Sequence, residues 1–253
     1  MWFKALILVA ASIVSAAVAP SVLVASVPAA EAAPVSHYYF ELGGTGSAEP
    51  APECTSSYTY ANQALNGGIA VPVCYPASAG PLEGGDGTIP GLGAPSYDAS
   101  VKHGVENLLS AVESRHRTHP DARFTITGYS QGAEVAGDVL AEIAGGRTGI
   151  PRSLVDGMLY GDPRQPGTGV ESIVPKGVSA LGFSSSGPGP VNFPGIPVER
   201  FCIRTDGVCD ASSPLSVPGY LTQHPRYPQR GGIISQTLAH DGGNGTTWYA
   251  PSS

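Results

Sequence analysis

Apolar residues occur in short runs whose spacing switches between the periods of strands and helices. His37–Leu42 (HYYFEL) is aromatic and apolar and runs into Gly43-Gly44-Thr45-Gly46, which predicts a strand closed by a tight turn. Residues 69–75 are rich in β-branched side chains and predict a second strand. Residues 76–95 are a Gly/Pro-rich loop. Between Tyr97 and Thr118, Val101, Val105, Leu108, Leu109 and Val112 recur every three or four positions. That spacing predicts an amphipathic helix, stopped by His119-Pro120. A strand over 123–127 (RFTIT), a turn over 128–132 and a helix over 133–144 follow. Val135, Val139, Leu140 and Ile143 share one face of that helix, and Gly145-Gly146 ends it. Residues 154–160 predict a further strand, ending at Gly161-Asp162-Pro163.

The pattern then weakens. Residues 163–197 hold many Gly, Pro and Ser and read as a long excursion over one edge of the fold, a lid or an irregular loop. A last clear strand spans 198–204, and a short helix is expected between Pro225 and His240. Residues 241–253 read as a flexible tail. Strands alternating with helices predict an α/β domain over 36–240, with a mainly parallel central sheet and helices on both faces.

Composition narrows the class. The chain has 253 residues, 42% hydrophobic and only 13% charged, with a net charge of −7. No basic cluster exists, which argues against a nucleic-acid partner. Residues 1–32 carry one cation, Lys4, then a long apolar run, then Ala30-Glu31-Ala32, which fits the small-x-small rule for a secretory cleavage site. The run serves either as a signal peptide or as a retained anchor, and both place the rest outside the cytoplasm. The four cysteines agree with export. Proximity in sequence favours Cys54–Cys74 and Cys202–Cys209. No Cys-x-x-Cys pair and no spaced His suggest zinc, so neither a metal nor a cofactor is expected.

Candidate chemistry starts at Gly128-Tyr129-Ser130-Gln131-Gly132, a Gly-x-Ser-x-Gly between an expected strand and an expected helix. A strand turning sharply into a helix strains its corner residue, and flanking glycines leave room for that turn. Ser130 would stand exposed there as a nucleophile. It needs a base, and the base an orienting acid, in the order Ser, acid, His. Only His224 and His240 follow Ser130. His224 is favoured because His240 borders a polar, Gly-rich stretch. Asp162 and Asp206 compete as the acid. Asp206 is favoured, since a Cys202–Cys209 disulfide would limit the motion of its loop. The Gln131 N–H and Thr45, with its N–H and hydroxyl, are the candidate oxyanion donors.

These residues together resemble a known group. Gly128–Ala133 (GYSQGA), Cys202-x3-Asp206-x2-Cys209 and His224-x-x-Tyr227 are similar to cutinase motifs. Leu42–Gly46 (LGGTG) and Tyr160–Pro163 (YGDP) look more like the PE-PPE domain, a cutinase-related serine hydrolase of mycobacteria and their actinobacterial relatives. The resemblance covers roughly residues 36–236. It implies an α/β-hydrolase fold and esterase activity on acyl esters or lipids, in the cell envelope or outside it; a monomer is expected. Ser130, Asp206 and His224 would form its triad, with Gln131 and Thr45 as its oxyanion site. Some members are implied to be acyltransferases that build trehalose-based lipids, and a non-catalytic lipid-binding protein is the reading from another class. Two departures stand out. Cys54 follows the first strand, whereas the cutinase partner cysteine precedes it. No PE or PPE helical region precedes the domain, so a stand-alone version with its own export signal is expected.

Overall fold

The computed structural model describes residues 35–47 and 49–251; the expected leader over 1–32 lies outside them. Six parallel strands form the central sheet in the order β2-β1-β3-β4-β7-β8. They are β1 (His37–Leu42), β2 (Ile69–Pro72), β3 (Arg123–Tyr129), β4 (Val155–Tyr160), β7 (Val198–Ile203) and β8 (Gly245–Tyr249). A separate hairpin, β5 (Ser179–Ala180) with β6 (Phe183–Ser184), lies in the excursion. A parallel sheet is covered on both faces, so its inner strands are buried throughout rather than alternately. β4 shows this, with all six residues buried.

Two cores follow from the pleat. Tyr38, Phe40 and Leu42 of β1 face one core, with α1 (Tyr97–Thr118) and α2 (Gln131–Ala144). Tyr39 faces the other, with Tyr58, Tyr160, Tyr227 and Ile234 of α5 (Ile233–Thr237). The Ser96 hydroxyl caps α1 by accepting from the Ala99 N–H at 3.2 Å. Asp98 in its first turn and Arg115 and Arg117 in its last match the helix dipole. Among the described residues no helix is long and apolar enough to cross a membrane.

The chain leaves β1 toward β2 on one side, then returns through α1 to β3 on the other side. The carboxyl ends of β1 and β3 therefore flank a topological switch point, where open α/β sheets bind ligands.

The expectation of a flexible tail from Asp241 is corrected. Gly245–Tyr249 pairs with β7 from Glu199↔Gly245 to Ile203↔Tyr249. Asp241 is held at the far end of the sheet by the Tyr39 hydroxyl at 2.5 Å and by Arg123 at 3.0 Å. The Gly-rich run before it hid a β-prone Thr-Thr-Trp-Tyr segment, whose Trp248 carries the Arg204 guanidinium 3.9 Å above its ring. A helix that the pattern did not suggest, α4 (Ser216–Thr222), contains Pro218 in its first turn, where proline is tolerated. Gly219 lets α4 lie directly against the Thr205 carbonyl.

Glu41, the last residue but one of β1, is fully buried. Burial pushes its carboxyl up to about 8, while the Asn62 amide opposes that by donating at 3.1 Å. Glu41 Oε1 and Asn62 Oδ1 both lack a donor, and a proton on Glu41 supplies one. The native state thus keeps a proton that the unfolded chain releases near 4.5. Stability must fall as pH rises from the unfolded value to the folded one, then level off. Glu41→Gln mimics the protonated form. It is expected to be more stable than wild type at pH 8 by roughly 2–4 kcal/mol and nearly equal to it at pH 4. Thermal denaturation at both pH values checks this. Equal stability at pH 8 would show Glu41 to be ionised in the fold.

Candidate active site

β3 ends at Tyr129 and α2 begins at Gln131, so the chain reverses in a single residue. Ser130 makes the corner at φ 57°, ψ −124°, a strained conformation for a residue with a Cβ. Its N–H donates to the Tyr160 carbonyl at 2.9 Å. The neighbouring glycines make the turn possible. A Cβ on Gly132 would meet the Gly43 carbonyl at 2.5 Å, and one on Gly44 would meet Ser130 Cβ at 2.9 Å. The Gly43–Gly46 turn after β1 therefore lies directly against Ser130.

Three side chains from three different loops converge here. Ser130 Oγ lies 2.8 Å from His224 Nε2, and His224 Nδ1 lies 2.9 Å from Asp206 Oδ2. Asp206 is fully buried, and His224 is 6% exposed. Asp206 Oδ1 accepts from the Val208 N–H at 3.0 Å, and Oδ2 accepts from the Tyr227 hydroxyl at 3.0 Å. Tyr227 in turn accepts from the Ile203 N–H at 2.8 Å. These bonds aim the carboxylate at the imidazole. The Cys202–Cys209 disulfide closes the loop that carries Asp206, and the Cys54–Cys74 disulfide is also formed.

The imidazole is held on its faces as well. Tyr129 stacks on His224 at 5.0 Å and donates its hydroxyl to the His224 carbonyl at 2.7 Å. Gly161, at φ +58°, closes the edge, where a Cβ would stand 2.8 Å from His224 Cε1. Sequence reasoning assigned no role to Tyr129, Tyr227 or Gly161. Two of them were within its reach, since Tyr227 follows His224 by one tight helical turn and Tyr129 adjoins Ser130.

The other candidates sit elsewhere in the hydrogen-bond network. Asp162 is buried, but it pairs with Arg200 at 3.0 Å and accepts from the Arg164 N–H at 2.8 Å. His240 is exposed and lies 3.2 Å from the Gln236 carbonyl. Gln131 is buried, with its amide donating to the Ser78 carbonyl at 3.0 Å and accepting from the Ser100 hydroxyl at 3.2 Å. Both bonds fix its backbone N–H at the start of α2, where N–H groups lack intrahelical partners. Thr45, Ser130 and Gln131 line one cavity of about 250 Å³. Its remaining wall is mostly apolar, with Leu82, Tyr97 and Val208, and with Pro163, Val170 and Phe183 from the excursion.

Among the described residues, His37, Asp156 and Asp241 are one group with metal-ligand spacing. It lies at the opposite end of the strands, and Arg123 already bridges its two carboxylates at 3.1 and 3.0 Å.

The chain is similar to several known proteins. A protein of Corynebacterium glutamicum named as a carboxylesterase Culp6 homolog is 31% identical over 150 residues, 50% of this chain and 47% of that protein. An uncharacterized PPE family protein, PPE28 of Mycobacterium tuberculosis, is 30% identical over 135 residues, 53% of this chain and 18% of that protein. The chain thus spans about half the length of the first relative and under a fifth of the second. A solved cutinase-like protein from Cryptococcus sp. shares the fold, with a TM-score of 0.53 at 19% identity over 81% of this chain and 91% of that one. The sequence profile of the cutinase family matches residues 43–238, and the chain, an α/β-hydrolase by fold, belongs to that family.

Proposed function

We propose that the protein is an exported serine esterase of the cutinase type, close to the PE-PPE domain, that cleaves carboxylic esters through an acyl-enzyme. The observation that carries this reading is the unbroken chain of contacts from Ser130 to His224 to Asp206, at 2.8 and 2.9 Å. In the proposed reaction His224 Nε2 takes the Ser130 proton as Oγ attacks the ester carbonyl. Asp206 holds the Nδ1–H tautomer and balances the imidazolium charge. The Gln131 N–H and Thr45 receive the developing oxyanion. His224 then returns the proton to the leaving alcohol. Water, activated by the same histidine, releases the acid and regenerates Ser130.

The two disulfides fit an oxidising compartment, which supports export. The PPE family relative supports the PE-PPE likeness. The apolar cavity over Ser130 suits an acyl chain. A second reading, acyl transfer to a sugar hydroxyl, draws on the excursion: Pro163, Val170 and Phe183 wall the cavity and would shield an acyl-enzyme from water. Transfer products formed from trehalose and a lipid donor would favour it, and free acid alone would dismiss it.

A fluorophosphonate probe followed by mass spectrometry tests the central step. The adduct is expected on Ser130 of the folded, disulfide-bonded chain. No adduct there would defeat the serine-hydrolase reading and leave a lipid-binding protein on the same scaffold.

A further inference from the structure

Two buried acids stand where the excursion that walls the cavity meets α2. Glu134 lies on α2, one turn beyond Ser130, and Glu171 lies on α3 (Val170–Ile173). They are 3% and 0% exposed, yet neither forms a salt bridge among the described residues. Glu134 Oε2 accepts from the Tyr97 hydroxyl at 2.6 Å. Glu171 Oε2 accepts from the Ser186 N–H at 2.7 Å. Glu171 Oε1 is buried and has no donor. The two carboxyls lie close enough to interact, and two carboxylates cannot satisfy each other, because neither has a proton to donate. One proton shared between the two groups would supply the missing donor.

The surroundings favour keeping that proton. Asp138 and Asp162 add negative charge, Tyr97 faces the pair from α1, and the buried Tyr75 faces Glu134 from the segment after β2. Arg164 is the cation whose charge reaches it, but its guanidinium is committed to Asp138 and to the Gly187 carbonyl. Lys176, and from α1 Asp98, Lys102 and Glu106, line an open cavity of about 530 Å³ that they share with Glu134 and Tyr97, and Lys102 is paired with Glu106 at 4.0 Å. Burial, then the adjacent Glu171, raise the Glu134 carboxyl well above the ordinary glutamate range.

The contact reaches the candidate site directly. Val170, next to Glu171, lines the cavity over Ser130, as do Pro163 and Phe183. The Glu171 N–H donates to the Pro163 carbonyl at 3.0 Å. Tyr97 lines the same cavity and meets the Phe183 ring edge-on at 5.3 Å.

We propose that Glu134 and Glu171 are positioning residues whose one shared proton clasps the excursion onto α2, fixing the wall of the substrate cavity, and that loss of this proton releases the wall. The kinetic part of this inference rests on the esterase reading; the clasp itself does not. The closed pair binds a proton that the separated acids release at their ordinary values. Between those two limits the open fraction should rise by up to about tenfold per pH unit.

The test uses the full chain and two readouts between about pH 6 and pH 9. Tryptic cleavage after Lys176, divided by the rate for a free peptide with the same bond, reports opening. KM and kcat for a short-chain ester report the wall. In wild type, normalised cleavage is expected to climb several-fold per unit, and KM to rise while kcat follows the same course as in the variant. Glu134→Gln replaces the proton by a permanent amide N–H to Glu171 Oε1, and its amide oxygen still accepts from Tyr97. Both of its profiles are expected to be flat and low. Glu171→Gln serves as the second isostere if Glu134→Gln does not fold. Flat wild-type cleavage, or isostere profiles that overlay wild type, would overturn the clasp. Absence of ester turnover with a pH-dependent, isostere-sensitive cleavage would instead remove the esterase reading and keep the clasp.

Discussion

Ser130→Ala is expected to lower kcat/KM for ester hydrolysis by about 10⁴-fold or more, since no other group takes over covalent attack. At about 1.4 kcal/mol per decade, that is a loss of at least ~5 kcal/mol of transition-state stabilisation. The fold should be unaffected. Among the described residues the Ser130 hydroxyl hydrogen-bonds only His224, and its N–H bond to Tyr160 is backbone. Alanine also keeps the Cβ and hence the strain at φ 57°. Ser130→Gly separates the two properties. It removes the nucleophile and the Cβ together, so it should be equally inactive and more stable by about 1–3 kcal/mol, the usual strain of such a corner. That gain would appear as a rise in Tm, and it would show stability given up for a reactive geometry. Turnover by the alanine variant at the wild-type rate would exclude Ser130 as the nucleophile.

The parts of this fold that were legible in the sequence are those dictated by local physics. The α1 helix runs over Tyr97–Thr118, as its three- and four-residue spacing predicts, because one face packs against α2 and the sheet. The strand before Ser130 and the helix after it were visible because a burst of β-branched residues gives way to an amphipathic run. What stayed hidden depends on distant partners. β8 exists because β7 offers an unpaired edge, and a Gly-rich approach says nothing about that edge. The α4 helix holds the Thr205–Asp206 backbone through Gly219, a close approach that Pro-Gly in sequence reads as a turn. The excursion over 163–197 looked structureless because its order comes from Glu171, Ser185 and Ser186 bonding one another rather than from periodicity. Likewise the roles of Tyr129, Tyr227 and Gly161 arise from the side on which each meets His224 or Asp206, and spacing does not encode that.

Asp206→Asn should be the most informative single change after Ser130. The carboxylate accepts three hydrogen bonds, from His224, Tyr227 and Val208. An amide can accept through only one of its two terminal atoms. With its oxygen toward the Val208 N–H, its NH₂ faces His224 Nδ1 and donates to it, and the Tyr227 hydroxyl can turn its proton to Cys209 Sγ, 3.3 Å away. The imidazole must then carry its proton on Nε2, pointing at Ser130 Oγ, where it cannot accept the serine proton. With the amide reversed, the Val208 N–H is left buried against NH₂, at a cost of about 1–3 kcal/mol. The first arrangement is therefore expected, with kcat/KM reduced by about 10³–10⁴-fold and fluorophosphonate labelling of Ser130 slowed by a similar factor. Asp162→Asn provides the contrast, since the two aspartates compete for this role in the sequence. It removes the charge that neutralises the buried Arg200 guanidinium, so it should lower Tm while the surviving folded fraction labels at the wild-type rate. The reverse outcome, with Asp162→Asn silencing Ser130 and Asp206→Asn leaving it reactive, would mean that the 2.9 Å contact at His224 is not the one that orients the base.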